Sequence, residues 1–215
     1  MPQIATLPEL NLMVILPELV LVFVALLVML ADMFAPKEQN GVRGLIPWLA
    51  LIGVGLTAGV SIWLWDQPVA TFQNMAILDQ FALAVNLIIL IAAGLGILLS
   101  IEYIPRITTQ TGEYYTLLLL ATAGMMMMGS VNDLITLFIA VEIFSLALYI
   151  LCGMHRSNPR STEASMKYFL LGAFASAFLV YGAALIYGAT GSTQYGAIAA
   201  LLASGQGNLY LLYTG

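Results

Sequence analysis

Two charged side chains stand inside otherwise apolar runs, and their chemistry can be read first. Glu142 lies in the stretch Leu134 to Ser145, which holds no other charge. It follows Asp133 by about nine residues and precedes Cys152 by about ten, so on a helix its carboxyl sits roughly 13–15 Å from either membrane edge. Placing a carboxylate there costs at least ~2.5 kcal/mol, and intramembrane acids face bundle interiors and water paths. Lys167 is the second such charge. Asn158 is a good N-cap and Pro159 suits a first helical position, which puts Lys167 about eight residues, or roughly 12 Å, into its helix.

The chemistry of such a pair is proton transfer. A carboxylate and an ammonium that meet in low dielectric hold each other's charge, and parting them lets each proton affinity move. Their helices are consecutive and antiparallel, and the two charges differ in depth by only about 4 Å on the helical rise. This predicts that Glu142 points into the bundle, with Lys167 its nearest or second-nearest basic group. Two plainer readings stay open. Glu142 can be a protonated acid hydrogen-bonded for packing, and Lys167 can snorkel back to the interface.

The elements that carry these residues follow from composition. Of 215 residues, 61% are hydrophobic and 8% charged, against about 25% charged in soluble domains. A soluble fold this short could not hide that much apolar surface; lipid removes the difficulty. Six apolar stretches, at 12–33, 45–65, 78–101, 115–129, 134–151 and 161–187, approach the roughly 20 residues a spanning helix needs, the fourth being short. They are apolar on all faces, unlike barrel strands. The expected fold is an all-α polytopic membrane bundle of about six transmembrane helices, without β-sheet. Residues 188–215 do not make a seventh span; 209–213 resemble the start of one, so the chain reads as a truncated product leading toward a further helix. The expected organisation is three N-terminal helices in 1–113, helices four to six in 114–191, and a connecting loop in 192–215.

Lys37, Arg43, Arg106, Arg156 and Arg160 fall in or beside the first, third and fifth connections, whereas the second and fourth carry Asp66, Asp79 and Asp133. The positive-inside rule then sets the N-terminus outside. Met1 to Leu12 contains no Lys or Arg, so no signal-peptide n-region is expected. Nothing is basic enough for nucleic acid. The single cysteine, Cys152, excludes an internal disulfide and reads as a small packed hydrophobe. Gly55 and Gly59 in the second helix, and Gly172, Ala173, Ala175, Ser176 and Ala177 in the sixth, read as close-packing patches. Met125 to Met128 read as core and lipid contact, lone His155 as structural, and Trp63, Trp65 and Tyr103 as an interfacial belt. There is no CxxC, GxGxxG or P-loop, so no redox, nucleotide or metal site is expected.

Two segments carry a resemblance. Residues 132–149, NDLITLFIAVEIFSLALY, resemble the Glu-bearing helix of the antiporter-like subunits of respiratory complex I. Residues 158–172, NPRSTEASMKYFLLG, look like the next helix of the subunit N family of NADH–quinone oxidoreductase. The likeness is strongest from Glu113 to Gly191. It implies that Glu142 and Lys167 take part in proton translocation and that this chain supplies the first six helices of a longer fold of inverted repeats. It further implies a non-redox subunit of a translocase in the bacterial inner membrane, with no cofactor of its own. NADH, quinone, flavin and iron–sulfur clusters would belong to the whole complex. The implied partners are the other membrane-arm subunits and the lipid bilayer. A multi-subunit cation/proton antiporter or membrane-bound hydrogenase is the alternative; a scaffold in which Glu142 and Lys167 only fix packing is a third reading.

Overall fold

The computed structural model describes residues 11–34, 40–67, 69–71, 74–107, 111–205 and 209–215. A single 3-10 turn, Leu12–Ile15, is capped by Asn11, which accepts from the Met13 amide at 3.1 Å. It leads into α1 (Leu16–Phe34), followed by α2 (Asn40–Trp63), β1 (Val69–Thr71), β2 (Ala76–Leu78) and α3 (Gln80–Ile107). Then come α4 (Thr111–Gly129), α5 (Leu134–Cys152), α6 (Pro159–Thr190), α7 (Tyr195–Ala203) and α8 (Leu209–Thr214). The fold is an all-α membrane bundle. Five helices, α1, α2, α3, α5 and α6, are long and apolar enough to cross a bilayer. Helix α4 is the short run of the sequence. Its 19 residues span about 28 Å, and its Thr and Gly are buried against α1, α3 and α5.

Several helices overrun their expected ends. Helix α3 continues past 101 to Ile107, and along this extension Glu102 and Arg106 pair one turn apart at 3.6 Å. Helix α6 starts at Pro159, with Asn158 accepting from Arg160 N at 3.1 Å, and ends where Gly191 adopts φ 70°. The expectation of no β-structure fails locally. Between α2 and α3 stands a two-stranded antiparallel hairpin pairing Val69 with Leu78 and Thr71 with Ala76. Three-residue strands are too short for alternation to register in the sequence.

The core gathers α1 to α4 around Leu21, Val28, Ile46, Leu90, Leu119 and Met126. The close approach of α1 and α2 runs through Gly53, where a Cβ would lie 2.2 Å from Val24 Cγ1. Gly55 and Gly59, read from the sequence as the packing pair, face open space. They sit two and six positions along from Gly53, about 200° and 240° around the helix. Gly124 plays the same part between α4 and α5, its Cβ position falling 2.7 Å from the Phe144 amide nitrogen. Cys152 is exposed at the end of α5 and not packed.

At one end of the bundle the backbone is tied across three connections. Residues 130–133 lie between β2 and the α6–α7 turn: Ile77 N donates to Ser130 O (2.8 Å), Asn132 N to Met75 O (2.9 Å), Leu134 N to Thr193 O (3.0 Å) and Tyr195 N to Asn132 O (3.2 Å). Asp66 and Asp79 are exposed at this same end, whereas Arg106, Arg156 and Arg160 belong to the other. Lys37 and the Arg43 side chain lie outside the described residues. Single cysteines placed at 66 and 156 are expected to react with a membrane-impermeant thiol reagent from opposite sides, in a background with Cys152→Ser. Reaction of both from one side would overturn the positive-inside topology.

Candidate proton-handling site

Helix α5 is fixed at its start by Asp133, whose carboxylate accepts from Ile135 N (2.8 Å) and Thr136 N (3.4 Å). From that cap the chain runs without another charge to Glu142, seven residues before Tyr149 at the tight end of the α5–α6 pair. There Ser161 Oγ donates to Cys152 O (2.6 Å) and Ser165 Oγ to Tyr149 O (2.9 Å). Tyr149 lies over Gly172 and meets Tyr168 and Phe169 edge-on, with ring centroids 4.8 and 5.7 Å away. A side chain at 172 would collide with the phenol.

Beyond this contact the helices part. Ala173, Ser176 and Ala177 are too small to fill the gap, and an open cleft of about 620 Å³ forms, lined also by Phe138, Val180 and Glu142. Glu142 is half-buried, and Ser176 donates its hydroxyl to Glu142 Oε1. A second furrow of about 500 Å³ shares Phe138, Val180 and Ala184 with the first and reaches Thr193. Thr193 Oγ1 in turn donates to Asp133 Oδ2 at 2.5 Å. Two carboxyls thus bound an apolar furrow, nine positions or about 13 Å apart along α5. Asp133 is fully buried and held by three donors; Glu142 has one hydroxyl and open space.

The structure does not bring Glu142 and Lys167 together. Lys167 Nζ donates to Glu163 Oε1 at 2.5 Å, with the two side chains 70% and 62% exposed. The reason is rotation about the helix axis. Lys167 precedes Ser176 by nine positions, which is about two and a half turns, so the two lie on opposite faces of α6. Depth alone made the pairing look natural; azimuth forbids it. Glu163 was legible as Lys167's partner, since Glu before Lys at i,i+4 is a favourable helical pair. Ser176 stood in the small-residue patch without being tied to Glu142. Two further buried polar residues carry no sequence signal of their own: Glu18, 7% exposed on α1, and the fully buried Asn86 on α3. Among the described residues no group of three or more His, Cys, Asp and Glu side chains could hold a metal ion.

The described helices make a membrane bundle in which a half-buried acid lines an apolar cleft. Residues 131–214 match the family model described as NADH:quinone oxidoreductase/Mrp antiporter, TM. Subunit N of NADH-quinone oxidoreductase from Trichlorobacter lovleyi is 41% identical over 204 residues, covering 94% of this chain and 41% of its own length. Among solved structures, respiratory complex I from Thermus thermophilus aligns with TM-score 0.67 and 30% identity over 93% of this chain and 42% of the matched one. The membrane-bound sulfane sulfur reductase, an archaeal respiratory membrane complex, aligns with TM-score 0.74 and 25% identity over 94% and 41%. The resemblance to subunit N is therefore borne out over most of the chain, which spans about two-fifths of the length of the relatives it matches.

Proposed function

We propose that this chain is part of a proton-translocating membrane subunit of a bacterial NADH–quinone oxidoreductase. In this reading it works in the inner membrane, beside other membrane-arm subunits, and couples quinone reduction to proton movement without a redox group of its own. Helices four to six then open the antiporter-like repeat. The observation that carries the reading is Glu142: an acid at membrane depth, lining an open cleft and held by one hydroxyl. A packing acid would be enclosed and fully bonded, as Asp133 is.

The two charges take separate parts. Glu142 accepts and releases a proton within the α5–α6 cleft. Lys167, on the opposite face, is held by Glu163. Influence between them passes through α6, because both sit on one rigid helix. The family model also covers Mrp antiporters, which keeps cation/proton antiport as the second reading. The assembled complex in sealed vesicles, driven by NADH and quinone, separates the two. Lumen acidification that persists in sodium-free medium is the expected result; acidification that requires sodium would replace proton pumping with antiport.

A further inference from the structure

Of the six buried polar side-chain atoms without a hydrogen-bond partner among the described residues, four lie in one place: both oxygens of Glu18 and both amide atoms of Asn86. Asn86 stands beside the Glu18 carboxyl. Glu18 is 7% exposed and Asn86 0%. One turn toward the acidic end lie Val14 of the 3-10 turn and Leu83 of α3, in an apolar cluster with Leu64 and Leu78. One turn the other way lie Leu21 and Leu90, in the main core with Met126. The pair is therefore a polar layer sealed between two apolar ones.

The neighbouring helices supply more polar surface at the same level. Gly53 lies against Val24, and counting outward from that contact puts Thr57 and Ser61 of α2 at about the level of Glu18, roughly 9 Å along α1. Both hydroxyls are fully buried and donate to their own helix, Thr57 Oγ1 to Gly53 O and Ser61 Oγ to Thr57 O. Their oxygens remain free to accept. On α4, a Cβ at Gly129 would lie 3.6 Å from Asn86 Oδ1, so that position presents no side chain to the amide. Among the described residues no charged group of α2, α3 or α4 faces Glu18. Asp66 and Asp79 are exposed at the rim, and Asp32, Glu102, Arg106, Glu113, Tyr114 and Tyr115 lie toward the opposite end.

A buried carboxylate with no countercharge, whose polar neighbour is the Asn86 amide, is costly as an anion, and a buried polar group takes a partner from protein or water. A polar site with several convergent groups holds water where an apolar one stays dry. We propose that Glu18 and Asn86 form a second intramembrane proton-binding site, hydrated and separate from the Glu142 cleft, at the acidic end of the bundle. The occupant is a proton on the Glu18 carboxyl, bridged to Asn86 by water. This site stands on its own helices and does not depend on the assignment of Glu142.

The test uses the assembled complex and infrared difference spectroscopy, comparing the natural protein with Glu18→Gln. The variant keeps the shape and neutrality of the protonated acid. The natural protein is expected to show, at neutral pH, the carbonyl band of a protonated carboxylic acid that Glu18→Gln lacks. That band should shift to lower frequency in D₂O and vanish in alkaline medium. In Asn86→Leu the same band should move to higher frequency, because the carbonyl loses its bridged neighbour. Absence of a band assignable to Glu18 would overturn the proposal. So would a band that neither exchanges with D₂O nor titrates, which would make Glu18 a sealed packing acid, and so would failure of Glu18→Gln to assemble.

Discussion

Glu142→Gln is expected to leave the complex assembled and reducing quinone while lowering proton translocation on the order of tenfold. The amide has nearly the carboxylate's shape and still offers an oxygen to the Ser176 hydroxyl, so the α5–α6 contact survives. What it lacks is an exchangeable acidic proton. The cleft is open, and beside Glu142 its walls are Phe138, Ala173, Ser176, Ala177, Val180, Tyr181 and Ala184, so no second carboxyl lines it to stand in for the lost one. Glu142→Asp should retain part of the pumping. It keeps the acid but draws it back by one methylene, where water must replace the direct contact with Ser176. Proton uptake into vesicles, measured together with NADH oxidation, separates a pumping defect from an assembly defect. Full pumping by Glu142→Gln would reduce Glu142 to a packing residue.

Asp133→Ala should have the largest effect on stability. The carboxylate caps α5 through two amides and receives the Thr193 hydroxyl, and it is fully buried. Loss of an N-cap costs about 0.5–2 kcal/mol, and stranding buried donors adds about 1–3 kcal/mol. Together these give roughly 2–4 kcal/mol, which at tenfold per 1.4 kcal/mol corresponds to opening on the order of 10²-fold more frequent. Hydrogen exchange at the amides of Ile135 and Thr136 reads this directly. Asp133→Asn retains an accepting oxygen and should recover most of the protection. Equal exchange in Asp133→Ala and the natural chain would show that water replaces the carboxylate without loss.

The bundle was legible in the sequence because lipid imposes a length and a hydropathy on each span, and both survive without knowledge of neighbours. The Asn158–Pro159 start of α6 was legible for a different reason: its chemistry is local, complete within three residues. What failed were judgements requiring a second helix. Gly55 and Gly59 have the spacing of a packing pair, but only the position of Val24 decides that Gly53 is the residue in contact. Glu142 and Lys167 matched in depth, and the missing quantity was the angle between their faces of α6. A helical wheel drawn from Ser165, Gly172 and Ser176 would have placed Lys167 opposite, once those three were known to face α5. Glu18 escaped notice because it lies close to the start of an apolar run, where an acid reads as a favourable helix N-terminal charge. The turn Leu12–Ile15 extends the helical path ahead of it and carries it inside.

The contacts between α5 and α6 have a mechanical consequence. The two helices are fastened near Cys152 by the Ser161 and Ser165 hydroxyls and again at Asp133 by Thr193. A pair joined at only one end opens like tweezers, with its gap widest at the free tips. A pair joined at both ends behaves as a bowed frame: the ends stay put and any change of width is greatest between them. Glu142 stands in that middle stretch. A small flexing of the middle of α6 therefore alters the solvation of the acid without disturbing either fastening, whereas Lys167, two residues from Ser165, rides on the fastened end.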